Sequence, residues 1–333
     1  MRAARLHAYG APLVLEDVPE PVMGPRDLLV QIHASSINPI DYKIHAGGQQ
    51  AFVRLKLPWI TGLDLSGTVL AVGPQVQGFQ VGDPVYGSPT HTRPGTFAER
   101  IAVAYDQLAH KPPDLSHAQA ASLPLVFQTA WACLMPALTR SPGQRVLIQA
   151  GSGGVGTLAI QIAKDHGAWV ATTCSQRNHQ LVRDLGADQV IDYRSTSIEE
   201  ALDEPVHILL DALGGEARAR SFQVMAPGGR LASIVSGIPG FTERYGVLGG
   251  VLMMLWRTGS FHLKGLLRGV KTATVIRGPE GHILNHANAM IEAGTLRPVI
   301  DRTWPLEEIN AALDYARTGR TRGKVVIEMP GVH

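Results

Sequence analysis

Three glycines spaced G-x-G-x-x-G, within Gly151-Ser152-Gly153-Gly154-Val155-Gly156, are the residues of this chain whose types and spacing specify chemistry most directly. The apolar, β-favouring run Arg145–Ala150 leads into them, and Thr157–Lys164 leaves them with apolar residues at helical spacing. Strand, tight turn and helix in that order predict a dinucleotide-binding unit. Gly151 is expected to permit the sharp turn, Gly153 to let a pyrophosphate reach the backbone, and Gly156 to let the helix pack on its strand. Unpaired N–H groups of the first helical turn then face the phosphates. A glycine turn with a purely structural duty is the alternative.

The end of the second strand decides which nucleotide fits. NAD enzymes place an acidic residue there, about 20 residues beyond the glycines, to hold the ribose 2′-hydroxyl. Here the strand is Trp169–Cys174, followed by Ser175-Gln-Arg177. A hydroxyl and a guanidinium suit a 2′-phosphate, so NADPH is expected over NADH. The alternative for Arg177 is a solvated helix start.

Such a loop needs a doubly wound parallel sheet to hold it. Strands are expected at Gln189–Asp192, Val206–Asp211, Arg230–Val235 and Thr272–Ile276, with helices at Asn178–Leu185, Ala217–Met225 and Tyr245–Trp256 between them. Together with the first two strands they make six, a Rossmann-type domain at 125–277. Leu213 and Gly214, and Ser236 and Gly237, follow strands at the sheet end where ligands bind. Residues 1–124 are rich in Gly, Pro and short β-favouring runs, which predicts a partly open β-barrel. The tail from 278 to 333, with strands expected at Leu296–Ile300 and Lys324–Glu328, no longer repeats βα units in register and is returned to that first domain.

At 333 residues two domains are expected. A formal net charge of +2 gives no global basic field for nucleic acid. The two cysteines, Cys133 and Cys174, cannot build a disulfide framework. The N-terminus alternates like a strand and lacks the apolar core of a signal peptide, so a cytoplasmic location is expected. Gly246–Trp256, the one strongly apolar run, is far short of the roughly 20 residues that span a bilayer. It reads as a buried helix or pocket wall, and no membrane partner is expected. The histidines read as surface or locally satisfied groups, and Arg320, Arg322 and Lys324 as a solvated turn.

A β-rich N-terminal half, the AGSGGVG loop and a returning C-terminal segment resemble the medium-chain dehydrogenase/reductase superfamily over essentially the whole chain. Ile37-Asn-Pro-Ile-Asp-Tyr-Lys43, Gly62-Leu-Asp-Leu-Ser-Gly67, Gly82-Asp-Pro-Val-Tyr-Gly87, Leu185–Tyr193 and Gly319–Lys324 are similar to its zinc-independent quinone oxidoreductase and enone reductase branch. The resemblance implies a GroES-like β-rich catalytic domain joined to a Rossmann domain, a cleft active site, NADPH-dependent reduction and a homodimer. It places Asn38 at the nicotinamide or a site water, Tyr42 or Lys43 as carbonyl donor and proton source, and Thr129 against the nicotinamide. Tyr193 is placed on the 2′-phosphate. Asp64 either orders its loop, the favoured reading, or tunes Lys43.

Zinc-dependent relatives place a Cys where Asn38 stands and Gly-His-Glu where Gly62-Leu63-Asp64 stands. Asn38 and Leu63 are not zinc ligands, and residues 65–132 contain no cysteine for a structural zinc. No metal is therefore expected. Without one, the acceptor must be electrophilic by itself or polarised by hydrogen bonds, as quinones and α,β-unsaturated carbonyls are. A zinc-type alcohol dehydrogenase remains one alternative. A non-catalytic NADPH-binding regulatory or nucleic-acid-binding protein on the same fold remains another, because fold does not fix function.

Overall fold

The computed structural model describes residues 1–47, 55–139, 143–235, 238–276 and 278–330, with the backbone alone over 238–248. The chain divides into two compact units, Met1–Gln128 with Gly278–His333, and Thr129–Arg277. It passes from one to the other within the helix Pro124–Leu134.

The first unit is built on a seven-stranded sheet. Its axis is Asp27–Ile37, an eleven-residue strand in which Leu28, Val30 and Ile32 point into the core by simple alternation. This strand pairs antiparallel with Asp64–Val72, Arg100–Ala104 and Lys324–Glu328. Its long pairing with Asp64–Val72 shifts register twice. Between those shifts Gly67 lies so close that a Cβ would sit 2.0 Å from the Gln31 carbonyl oxygen, so a side chain there would break the pairing. The returning tail does complete this sheet, but as Ile300–Pro305 and Lys324–Glu328 in parallel. The expected strand at 296–300 lies a few residues too early, and Leu296 is instead buried after the helix Leu284–Glu292.

Thr129–Arg277 holds a six-stranded parallel sheet. Its order is Gln189–Asp192, Trp169–Cys174, Arg145–Ile148, Val206–Asp211, Met225–Ser233 and Lys271–Thr274. The chain starts in the middle and winds outward both ways, the doubly wound Rossmann topology. Strands covered on both faces read as continuous apolar runs, and Val146, Leu147, Ile148, Leu209 and Leu210 have no exposed surface.

One element departs from expectation. The helix foreseen over Tyr245–Trp256 runs from Ile238 to Leu267, 30 residues, through Gly259 and Gly265. Gly265 is required there, because a Cβ would lie 2.7 Å from the Val270 carbonyl oxygen. The apolar run within it is not a buried helix, since Leu252, Leu255 and Trp256 are exposed. Periodicity located the helix, but the face it shows to solvent is a tertiary outcome.

Candidate active site and cofactor loop

Register brings the polar residues of the first unit together. Ser36 pairs with Asp64, and Ile37 with Val325, so Asp64 and Lys324 arrive beside the residue that ends the central strand, Asn38. Asn38 then caps the helix Pro39–His45, with Asp41 at its third position returning a carboxylate oxygen to the Asn38 backbone N–H at 2.7 Å. Asn and Asp at that spacing form a capping box, with proline starting the helix where no N–H is needed.

The Asn38 side chain is wholly buried and held from both ends. Its amide NH₂ donates to Asp64 Oδ2 at 2.7 Å, and its oxygen accepts from the Lys324 ammonium. Lys324 also donates to the Ile37 carbonyl at 3.0 Å and pairs with Asp64 at 3.2 Å. Asp64 accepts further from the Ser36 hydroxyl at 2.8 Å and from the Leu125 N–H at 2.8 Å, in the first turn of the helix Pro124–Leu134. A carboxylate at a helix N-terminus is favoured by the helix dipole as well. Asp64 thus orders its surroundings by hydrogen bonding.

Burial lowers the pKa of Lys324, opposed by the attraction of Asp64 and Asp41. The reading of Lys324 as part of a solvated turn is wrong. Gly323, at φ 72, turns the chain so that Lys324 enters the sheet, where its ammonium meets two acceptors. Arg320 and Arg322 stay on the surface side of that turn.

Asp41 is the residue that the motif contained and the sequence reading did not single out. It is buried, one of its oxygens has no hydrogen-bond partner, and it borders a cavity of about 10 Å³ with Thr61 and Trp59. Burial raises its carboxyl to a pKa of about 7, with the nearby Asp64 carboxylate adding to the rise and Asn38 and Lys324 opposing it. Tyr42 is half-buried against the core and its pKa is raised by burial and by Asp41, so it stays a protonated donor at neutral pH. Lys43 is exposed to solvent, yet crowded enough by neighbouring protein to lower its pKa.

In the second unit the three glycines of the loop have three different reasons to be glycine. A Cβ on Gly151 would lie 1.9 Å from Thr172 Oγ1, and one on Gly156 would lie 2.4 Å from the Ala150 carbonyl oxygen. Packing between loop, helix and strand thus excludes side chains at both. A Cβ on Gly153 would meet only the Ala150 oxygen, at 3.4 Å. The protein itself leaves that side open, as an approaching pyrophosphate requires, and the helix Gly154–Asp165 starts from it. The expected role of Gly151 is corrected in one respect. The positive φ of the turn falls on Ala150, at 54°.

Around the loop, Asn178 donates to the Ser152 hydroxyl at 2.9 Å and more weakly to that of Ser175, tying the loop to the end of Trp169–Cys174. Sequence reading took Asn178 for a helix start, and its cross-link carries no sequence signal. Ser175 is buried, while Arg177 is exposed on a short 3₁₀ turn. Tyr193, also exposed, has Arg194 over its ring at 5.8 Å. Register sets Asp192 opposite Cys174, so a carboxylate does stand one strand from Ser175, with one oxygen accepting the Arg194 N–H. Val155 lies in the first turn and Thr129 is buried on Pro124–Leu134. Asp211 accepts from the Leu213 and Gly214 N–H groups and from Ser233 and Arg218, shaping the turn after its strand. Ser236 and Gly237 lie outside the described residues.

His282 and His286 stand four residues apart, a metal-binding spacing that the reading of the histidines as isolated groups passed over. Among the described residues, no three His, Cys, Asp or Glu side chains are placed to hold a metal ion.

Comparison with known proteins agrees with this architecture. An alcohol dehydrogenase GroES-like domain model matches residues 24–113, and a model described as zinc-binding dehydrogenase matches 185–327. The chain is 36% identical to a human protein named NAD(P)H oxidoreductase RTN4IP1, mitochondrial, over 92% of this chain and 82% of the other. It is 33% identical to a 2-methylene-furan-3-one reductase of Solanum lycopersicum, over 98% and 79%. The solved quinone oxidoreductase of Coxiella burnetii superposes with a TM-score of 0.86 at 31% identity, over 98% and 99% of the two chains. This chain belongs to the medium-chain dehydrogenase/reductase superfamily, quinone oxidoreductase type. The GroES-like and Rossmann-type architecture is that of its structural neighbours, and a general oxidoreductase role follows, with a nicotinamide cofactor.

Two outcomes test the buried network. Lys324→Met strands Asp64 as an uncompensated buried charge and should cost about 3–5 kcal/mol in urea unfolding. Adding Asp64→Asn should recover much of that loss, and additive losses would show that the two residues act separately. Asp41 supplies a pH signature of defined sign. Its pKa rises from 3.8 unfolded to about 7 folded, so the stability it contributes is complete below about pH 4 and is lost as pH climbs to about 7. Asp41→Asn should therefore gain on wild type between pH 4 and 7 and hold a constant offset above. A difference that does not change across that window would mean that Asp41 ionises normally.

Proposed function

We propose that this chain is an NADPH-dependent, zinc-independent reductase of quinones or α,β-unsaturated carbonyls. The observation that carries the proposal is the Asn38–Asp64–Lys324 network, in which a lysine ammonium neutralises Asp64 and fixes the Asn38 amide. Asp64 is saturated by protein donors, and Asn38 has both ends of its amide engaged, so neither offers a metal the lone pairs a ligand must give. This reading differs from the description of one matching family model, zinc-binding dehydrogenase, and is supported by the names of the 2-methylene-furan-3-one reductase and quinone oxidoreductase to which the chain is similar.

The second unit fits the cofactor, because Gly153 leaves open the side on which a pyrophosphate would lie. Gly151 to Gly156, with Ser152 held by Asn178, would hold the phosphates, and Ser175, Arg177 and Tyr193 the 2′-phosphate. Thr129, Leu213 and Gly214, with Ser236 and Gly237, complete the proposed cofactor set. When bound, NADPH supplies a hydride to an electrophilic carbon of the acceptor. Developing negative charge on the acceptor oxygen is met by preorganised donors, for which Tyr42, kept protonated by burial, is the first choice and Lys43 the second. Asn38, wholly buried and engaged at both ends by Asp64 and Lys324, braces the start of the helix that carries Tyr42 and Lys43, and does not reach the nicotinamide or a site water as the resemblance implied.

The reading is tested by turnover with a panel of quinones and enones, with NADPH and with NADH, before and after chelation. Activity confined to a zinc-loaded sample and to alcohols would overturn it. Arg177→Ala should weaken NADPH by about tenfold and leave NADH nearly unchanged. Hydrogen bonds to charged groups contribute about 1.5–3 kcal/mol, a tenfold change corresponds to about 1.4 kcal/mol, and the exposure of Arg177 keeps its share toward the low end. Higher salt should narrow the gap. Gly153→Val should fold, because its φ of −84° suits any residue, and should lose both cofactors. Equal losses of NADPH and NADH in Arg177→Ala would assign that residue to the fold or the adenine instead.

A further inference from the structure

The helix Ile238–Leu267 has two unlike sides. Phe261 is buried in the core of its unit, and Gly265 abuts Val270 and Thr272. On the opposite side Leu252, Leu255, Trp256, Leu263, Leu266 and Leu267 form one stripe, about 120° wide at 3.6 residues per turn. All six are exposed, from 56% to 77% of their surface. Isolated exposed leucines need no explanation, but six on one helical face do.

Arg257, Lys264 and Arg268 line one edge of this stripe by the same helical geometry. No carboxylate occurs between Glu243 and Glu280, against six Lys and Arg. At that edge, between this helix and Gly215–Ser221, opens a cavity of about 160 Å³ bordered by Arg218, Phe222, Trp256, Arg257, Ser260 and Lys264. Trp256 belongs to both stripe and cavity, so the apolar face and the cationic edge are one continuous surface.

We propose that this face docks on the surface of an anionic phospholipid bilayer. The Leu and Trp side chains enter the acyl boundary, while the cationic edge and its cavity take lipid phosphates. An apolar stripe with tryptophan, edged by basic residues, is the pattern of a helix that lies in the membrane interface. Charge favours this occupant, since an anionic surface meets the cationic edge, whereas a second copy packed with this helix against its own counterpart would set the same Arg and Lys side chains against one another. The helix lies on the membrane and does not cross it, for no helix among the described residues is long and apolar enough to span one. Peripheral docking thus replaces the expectation of no membrane partner. It is independent of the reductase reading, since none of these residues belongs to the proposed cofactor or substrate set.

The test uses the full chain and vesicles of phosphatidylcholine with and without phosphatidylglycerol, in a sedimentation assay at low and high salt. Wild type should bind the anionic vesicles about tenfold better than the neutral ones, with the gap closing at high salt. Leu263→Asp with Leu266→Asp should abolish binding, and Lys264→Glu with Arg268→Glu should abolish the anionic preference. Both variants should retain wild-type circular dichroism and NADPH affinity. Three results would overturn the proposal. Wild type fails to sediment with anionic vesicles. The double-aspartate variant sediments as well as wild type does. Light scattering shows a wild-type dimer that this variant splits, or inorganic phosphate binds at Lys264, in either case without any vesicle binding.

Discussion

A lysine ammonium and an aspartate carboxylate, both taken out of water, set the terms for the rest of the catalytic unit. Removing either ion from solvent costs several kcal/mol, and only mutual attraction with further hydrogen bonds offsets that cost. Lys324 and Asp64 meet the condition through each other, the Asn38 amide, the Ser36 hydroxyl, the Leu125 N–H and the Ile37 carbonyl. The partners come from four places in the chain, residues 36–38, 64, 125 and 324, and they converge only if three strands keep their register. The network therefore holds Asn38 in one orientation, and any slip in the sheet would expose an unpaired charge.

Asp41 adds a second tension beside the first. Its carboxyl caps a helix with one oxygen and leaves the other without a partner next to a cavity of about one water's size. A buried acid whose pKa burial lifts to about 7, next in sequence to a tyrosine whose pKa burial also raises, gives this site two groups that release their protons less readily than they would in water. Shifted groups concentrate at functional sites, and here they adjoin Asn38, which the family resemblance places at the nicotinamide or a site water.

The cofactor unit works by exclusion of side chains at some positions and by open space at another. Gly151 and Gly156 let the loop, the helix and the Thr172 strand approach closely, and Gly153 leaves the opposite side free. Asp211 performs the comparable task at the next strand end, where its carboxylate collects two backbone N–H groups, a serine and an arginine. The long helix Ile238–Leu267 packs one face on the core of its unit and leaves a leucine-rich face to solvent beside a cationic edge. That division gives the unit a second surface with chemistry of its own.

Local rules were enough to read the nucleotide loop, the six-stranded unit and the return of the tail to the first domain. Glycine spacing, apolar runs and turn residues act over a few neighbouring positions, so they survive in a single sequence. Asp41 was passed over although its bond back to the Asn38 N–H is local, because nothing in the spacing shows that its carboxyl is buried. Lys324 was illegible, since a lysine between glycine and valine reads as surface until a strand opposite places Asp64 and Asn38 within reach. Asn178 was obscured in the same way, because Ser152 lies in another turn, and Asp192 stands near Ser175 only through the strand register that sets it opposite Cys174. The apolar run at 246–256 was found by composition, but which of its faces remains in water depends on how Phe261 and Gly265 seat the helix. Sequence by itself determined the elements, the loop chemistry and the family. Tertiary structure alone decided which charges are buried together, because pairing across a sheet is set by register between strands that lie up to hundreds of residues apart.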